Sequence, residues 1–213
     1  MGNLRYIAVE GPIGAGKTTL ANLLAAEFGA RAVLEQVEEN PFLRRFYEDP
    51  RAWAFQTQLF FLLSRYRQQS LLRQQELFDA GVVSDYLFAK DQIFAHVNLK
   101  GEELSLYRQI YHLLDSRLPK PDLVVYLHAR PEILIERLRK RDRDYERRIP
   151  REYIEALAAA YRNFFFDYNE TALLVADVSA VDFVNSRDDF VDLVREIRSM
   201  GKGVQHYIPL GSR

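Results

Sequence analysis

The chain has 213 residues, 48% of them hydrophobic, enough for the core of one domain or of one domain with a small lid. Its 29 Lys and Arg against 30 Asp and Glu leave a net charge of −1, so no global field draws it to nucleic acid or to a membrane surface. With no cysteine it has no disulfide, thiolate metal site or thiol nucleophile, which suits a reducing, cytoplasmic setting; no apolar run reaches the ~18 residues of a membrane-spanning helix, and the first one is too short for a signal peptide.

A first strand is predicted over Arg5–Glu10. It runs into Gly11-Pro12-Ile13-Gly14-Ala15-Gly16-Lys17-Thr18-Thr19, and a helical pattern covers Lys17–Phe28. Strand, glycine loop and helix form the context of a phosphate-binding P-loop, and Gly11, Gly16, Lys17 and Thr18 meet its spacing. Glycines let several backbone N–H groups converge on one phosphate, and the start of the helix adds its positive end. Lys17 can reach the outer phosphates and the Thr18 hydroxyl can hold Mg²⁺. The loop points to a nucleoside triphosphate but not to what receives the phosphate.

Further strands are predicted over Arg31–Glu35, Val82–Asp85, Leu123–His128 and Leu173–Ala176. Helices are predicted over Pro41–Glu48, Trp53–Phe78, Leu104–Ser116, Glu132–Arg141, Arg151–Tyr168 and Asp189–Ser199. Near-continuous Val, Leu, Ile and Ala runs suit parallel strands covered on both faces, so the expected fold is α/β, a five-stranded parallel sheet between helix layers. Ligands of such sheets bind beyond the carboxyl ends of the strands. Glu10, Glu35 and Asp85, each predicted to end a strand, should therefore converge near the loop. Glu35 is either the acceptor of a hydroxyl proton or a solvated strand end like its neighbours Glu38 and Glu39. Asp85 either reaches Mg²⁺ or its water shell, or caps its strand.

On the long helix after Trp53, Phe55, Leu59, Leu62, Leu63 and Tyr66 form an apolar stripe that Phe60, Leu71, Leu72 and Phe78 widen. It packs either within its own domain or partly on a second subunit. A glutamine here is either polar surface or a pocket amide that pairs with a nucleobase edge. Eight basic residues between Arg137 and Arg151 alternate with Asp142, Asp144 and Glu146. The interleaved acids argue against nucleic acid; the run is either a solvated face or an arginine-rich lid that closes over the triphosphate. The four histidines show no metal-ligand spacing.

Together these segments resemble the deoxynucleoside kinase family over about Arg5 to Phe183. The resemblance implies a P-loop kinase fold in a single domain, 1–213, with a lid at about 139–150. It implies transfer of the γ-phosphate of ATP, with Mg²⁺, to the 5′-hydroxyl of a deoxynucleoside in nucleotide salvage, by a cytoplasmic homodimer. Carried over by motif, Gly11, Gly14, Ala15, Gly16, Lys17, Thr18 and Thr19 would hold ATP, and Thr18 with Asp85 the Mg²⁺. Glu35, in a match to the family's Glu-Pro-Val with Gln36 for the proline, would be the base for the 5′-hydroxyl. Tyr47 and Glu146 would bond the 3′-hydroxyl. Gln58, seven residues before Arg65, would pair with the base, flanked by Arg65 and Asp91, with Phe94 in the same pocket. Retaining Arg65 and Asp91 is similar to members that take purines or cytosine, so deoxyadenosine or deoxyguanosine is the expected acceptor, with deoxycytidine next. Lys17, Arg137 and Arg141 would stabilise the transferring charge, and Asp182-Phe183 would pack on the donor base.

One departure stands out. The family's Asp/Glu-Arg-Ser reads Asp85-Tyr86-Leu87 here, and Lys90 is expected to restore the missing charge. Two other readings compete. A nucleoside monophosphate kinase of the thymidylate kinase kind shares the loop and lid but needs arginine where Glu35 stands; Arg44 and Arg45 are near in sequence. A non-catalytic nucleotide-binding subunit of the same fold would explain Tyr86, but not the retention of Lys17, Glu35, Gln58, Arg137 and Arg141.

Overall fold

The first strand, β1 (Tyr6–Glu10), is buried at every position, as an unbroken apolar run in the middle of a parallel sheet requires. The computed structural model describes residues 4–74, 81–181, 183 and 186–209; Phe78 and Asp182, and the side chain of Leu72, lie outside the described set. β1 pairs in parallel with β3 (Val82–Ser84) on one side and β4 (Leu123–His128) on the other. β2 (Arg31–Val33) extends the sheet beyond β3, and β5 (Ala172–Asp177) and β6 (Val204–Tyr207) extend it beyond β4. The order is β2-β3-β1-β4-β5-β6. The chain leaves β1 at the point where the order changes direction, which is where α/β sheets open a crevice.

The sheet has six strands where five were expected. β6 escapes pattern reading because it is an edge strand whose residues, Val-Gln-His-Tyr, alternate between exposed and half-buried. β2 and β3 are shorter than predicted, so Glu35 and Asp85 lie just past their strands. The backbone N–H of Glu35 donates to Asp85 Oδ1 (2.7 Å) instead of continuing a ladder.

Helices α1 (Lys17–Phe28), α2 (Leu43–Glu48), α3 (Pro50–Gln74), α5 (Gly101–Asp115), α6 (Pro131–Arg141), α7 (Arg151–Phe166) and α8 (Arg187–Ser199) follow the predicted pattern within a few residues. α4 (Lys90–Asn98) was not predicted: its Lys90 and Asp91 face inward beside Ile93 and Ala95, which erases the polar–apolar alternation. The inner face of α3 also differs from the expected stripe. Ala54, Thr57, Gln58, Leu62, Arg65 and Gln69 are buried, whereas Leu63 and Leu71 are exposed. Buried polar groups require partners: Arg65 faces a cavity and the charges around it, and Gln69 donates to Tyr6 Oη (3.2 Å).

Apolar packing falls into three clusters. One joins α1, β4, α6 and α8 under the glycine loop, with Leu20, Leu24, Leu127, Leu134 and Ile197 at its centre. A second packs Tyr126, Tyr161, Phe165 and Tyr168 on the other face of the sheet. The third belongs to the helical layer α2–α5: Leu43, Phe46, Ala54, Leu62, Phe88, Leu99, Tyr107 and Tyr111.

Candidate active site

The loop after β1 turns through backbone angles that favour glycine. Gly14 has φ +88°, and a Cβ there would lie 2.9 Å from the carbonyl oxygen of Leu134. Gly16 (φ +94°) caps α1 without a side-chain hydrogen bond, and no acid occupies the first turn of the helix. The first turn of α1 therefore carries no acid and no side-chain cap of its own. Lys17 Nζ donates back to the carbonyl oxygens of Gly11 (2.8 Å) and Pro12 (3.1 Å), two groups that a phosphate oxygen can replace. Burial, and next the charge of Lys90, hold the Lys17 ammonium down at about 8, so an anion in the loop would restore it.

Asp85 connects the loop to the residues opposite. Its Oδ2 accepts from Thr18 Oγ1 (2.6 Å), and its Oδ1 accepts from the Glu35 backbone. The Glu35 carboxylate accepts from Arg65 through both Nε (2.7 Å) and a terminal guanidinium nitrogen, and from Lys90 Nζ at 2.7 Å. Burial alone would raise its pKa; the two cations override that and hold it at about 2. Arg65 also bonds Asp91, whose Oδ1 accepts from Tyr107 Oη (3.0 Å) and whose Oδ2 is buried without a partner. Burial pushes Asp91 up to about 6 against the pull of Arg65.

A cavity of about 390 Å³ brings these groups together. Gly14, Lys17, Thr18, Glu35, Tyr47, Phe61, Arg65, Asp85, Lys90, Phe94, Arg141 and Glu146 all contribute to its wall. The volume lies in the range that encloses a small ligand. A wider groove of about 730 Å³ between α1 and α8 contains none of the residues expected to act chemically.

Other residues singled out from the sequence do not line this cavity. Glu10 does not reach the cavity. It is fully buried and accepts from the backbone of Gly11 (2.8 Å) and Leu87 (2.7 Å) and from Tyr161 Oη (3.0 Å), so its role is to lock the loop to the sheet. Arg137 is outside the cavity wall and donates to the carbonyls of Val178 (2.8 Å) and Val181 (3.1 Å). Phe183 approaches Gly16 from the same segment. Gln58 is buried on α3 one turn before Phe61, behind the wall. Gly11, Ala15 and Gly16 complete the loop, and Thr19 is exposed on α1.

The charged run after Arg137 meets α2 and the segment before it. Arg141 forks onto the buried Glu146 carboxylate, with the Nε contact at 3.0 Å. Tyr145 Oη donates to Glu38 (2.9 Å), accepts from Arg143 (2.9 Å), and its ring stacks on Tyr47. Arg148 bonds Glu48 at 2.8 Å. Tyr145 and Tyr107 were not singled out from sequence; a tyrosine among many charges, or on a helix, gives no signal of the carboxylate it serves.

Residues 7–201 match the sequence model of the deoxynucleoside kinase family. The chain belongs to this family. It is 37% identical over 205 residues to a deoxyguanosine kinase of Bacillus subtilis, covering 94% of this chain and 99% of that protein. It is 36% identical over 168 residues to a deoxyadenosine kinase of Dictyostelium discoideum, covering 76% and 67%. A structure of deoxyadenosine kinase from M. mycoides with bound dATP superimposes with a TM-score of 0.79 at 26% identity, covering 91% of this chain and all of that one. The deoxynucleoside kinase is thus a phosphotransferase, with a parallel sheet between helices. In this deoxynucleoside kinase Tyr86 is fully buried among core residues, and the cation beside Glu35 comes from Lys90 instead.

Proposed function

We propose that this deoxynucleoside kinase transfers the γ-phosphoryl group of ATP to the 5′-hydroxyl of a purine deoxynucleoside, with deoxyguanosine the first choice and deoxyadenosine the second. The observation that carries the reading is the Glu35 carboxylate, held ionised between Arg65 and Lys90 in a cavity that also opens on Lys17 and Thr18. The names of the relatives, deoxyguanosine and deoxyadenosine kinases, support the purine.

The 5′-oxygen bonds to the γ-phosphorus as the bond from that phosphorus to the bridging oxygen breaks. The 5′-proton passes to a Glu35 oxygen, and the electron pair leaves on the β-phosphate of ADP. Lys17 and the positive end of α1 hold the phosphates, and Arg141, on the opposite wall, faces the transferring charge. Arg137 fixes the segment that carries Phe183, which would rest against the donor base. Tyr47 and Glu146 would orient the 3′-hydroxyl, and Gln58 with the Arg65–Asp91 pair would read the base. The segment 139–150 would act as the lid that excludes water.

Thr18 Oγ1 and Asp85 Oδ2, 2.6 Å apart, are hard oxygen donors beside the loop. They fit Mg²⁺, which takes one or two protein oxygens and completes its shell with phosphate and water. When bound, the ion would neutralise charge on the β- and γ-phosphates. Among the described residues no cluster of three His, Asp or Glu forms an all-protein metal site.

A monophosphate acceptor is a poor fit. Arg44 and Arg45 are exposed and outside the cavity, and the acidic Glu35, Glu38, Glu39 and Glu146 would repel a second phosphate. A non-catalytic role leaves the buried Arg65–Glu35–Lys90 arrangement without a use. Exposed Leu106, Leu113 and Phe166 on α5 and α7 support a homodimer, and a cytoplasmic setting is consistent with the lack, among the described residues, of a helix long and apolar enough to cross a membrane.

The test is phosphate transfer from ATP and Mg²⁺ to deoxyguanosine, deoxyadenosine, deoxycytidine, thymidine and dTMP, beside Glu35→Gln. Purine turnover that drops ~10²–10⁴-fold in the variant is expected. Turnover of dTMP alone, or an undiminished E35Q enzyme, would overturn the reading.

A further inference from the structure

Lys90 is the first residue of α4, its side chain nearly inaccessible. Three features make it a poor choice for stability alone. The positive end of a helix disfavours a cation. Burial strips water from its ammonium, which then needs a carboxylate beside it. It also lies near a second buried ammonium, whose charge it opposes: Lys90 is the largest electrostatic influence acting against Lys17. Glu35 does not depend on it for a partner, because Arg65 already forks onto Oε1. Lys90 takes the other oxygen, Oε2, at 2.7 Å, and its ammonium also sits 5.8 Å from the Phe94 ring centre. Lys90, Glu35, Asp85, Thr18 and Lys17 all border one cavity.

A cation that sits at the wrong end of its helix, opposes a second ammonium, shares its carboxylate with Arg65 and borders the same cavity as the phosphate loop is suited to a charge that arrives later. We propose that Lys90 is a catalytic residue whose Nζ neutralises Glu35 in the free enzyme and donates to the oxygens of the transferring phosphoryl group during the reaction. This rests on the kinase reading above. Lys90 keeps its proton throughout, and no bond to it forms or breaks. Negative charge leaves Glu35 as the carboxylate takes the 5′-proton, and grows on the phosphoryl oxygens and ADP. The ammonium moves with that charge over a short side-chain rotation, while Arg65 continues to hold Glu35 in place. The flexible stem and compact charge of lysine suit such a shift better than a fixed guanidinium fork does.

The experiment uses the full chain and the variants Lys90→Met and Lys90→Arg, with folding checked by thermal denaturation. Steady-state kcat and KM are measured for the best deoxynucleoside and for ATP. Binding of ADP alone, and of ADP with aluminium fluoride in the presence of the deoxynucleoside, is measured by calorimetry. K90M should lower kcat by ~10²–10³-fold and leave both KM values within about threefold. It should weaken the aluminium fluoride complex by a similar factor while ADP alone binds as before. K90R should recover part of kcat. A folded K90M with kcat within about threefold of wild type, or one that loses the deoxynucleoside as much as it loses kcat, would overturn the proposal and make Lys90 a structural partner of Glu35. If K90M does not fold, Lys90→Gln is read by the same criteria. A wild-type chain silent on every deoxynucleoside would instead overturn the kinase reading itself.

Discussion

Replacing Arg65 with Met tests how much of the fold depends on the charges around the cavity. Arg65 is buried, bonds Glu35 twice and bonds Asp91 once. Without it Glu35 keeps Lys90, but Asp91 is left with the Tyr107 hydroxyl alone. Removing one member of a buried ion pair costs about 3–5 kcal/mol. Asp91 has an escape, which is to take up a proton. Because Asp91 already lies at about 6 in the wild type, the extra cost of that proton at pH 7 is one unit's worth, and the Asp91 share of the loss is capped at about 1.4 kcal/mol. For a chain of this size that is a fall in Tm of roughly 3–6 °C. Burial already pushes Asp91 up to about 6 in the wild type, and losing Arg65 drives it higher. An acid whose folded pKa exceeds its unfolded value binds more protons when folded. Its destabilisation is therefore absent below about pH 4 and grows as pH rises toward the folded pKa. Urea unfolding of R65M should show the deficit shrinking from pH 7 to pH 5, and the double variant R65M/D91N should recover most of it. An R65M protein as stable as wild type at pH 7, or one whose deficit ignores pH, would refute the reasoning.

Three further outcomes are expected. Gly14→Ala forces a Cβ onto the Leu134 carbonyl at positive φ, so it should cost ~1–3 kcal/mol in urea unfolding and weaken ATP binding; unchanged values of both would contradict the loop geometry. Excess EDTA should abolish turnover and leave deoxynucleoside affinity within about twofold, as the proposed placing of the metal at Thr18 and Asp85, on the donor side, requires; turnover that survives would remove the metal from the scheme. Tyr145→Phe breaks the bond to Glu38 near the surface, so stability should move by less than ~1 kcal/mol while KM for the deoxynucleoside rises; a fall in Tm with KM unchanged would count against a lid at this segment.

The glycine loop, the long strands and most helices were legible because their signals are local. Spacing identifies the loop, unbroken apolar runs mark β1 and β4, and periodicity marks the helices. What was hidden depends on neighbours distant in sequence. α4 looks irregular until Asp91 is seen opposite Arg65, and Lys90 opposite Glu35, from other elements. The inner face of α3 reads as a mistake in hydrophobic patterning until the cavity is in place. Glu10 and Asp85 end neighbouring strands and look equivalent; only the pairing shows that one faces Tyr161 and the other Thr18. Arg137 and Arg141, one turn apart on α6, diverge because the segment after β5 offers carbonyls to the first and Glu146 captures the second.

The separation of the apolar packing into clusters bears on how such an enzyme changes its diet. The glycine loop stands on the cluster of α1, β4, α6 and α8, whereas Phe61, Arg65 and Tyr47 stand on the helical layer built around Leu62, Phe88 and Tyr107. A substitution that reshapes the wall at Phe61, Arg65 and Tyr47, the proposed acceptor side, disturbs that helical cluster and leaves the footing of the loop alone. Effects on distant, unconnected sites add with little interference. Acceptor preference can therefore drift through many small steps, each tolerated, while the phosphate-handling half stays as it is, and a duplicated copy of this chain could part from its sibling in substrate without first losing its chemistry.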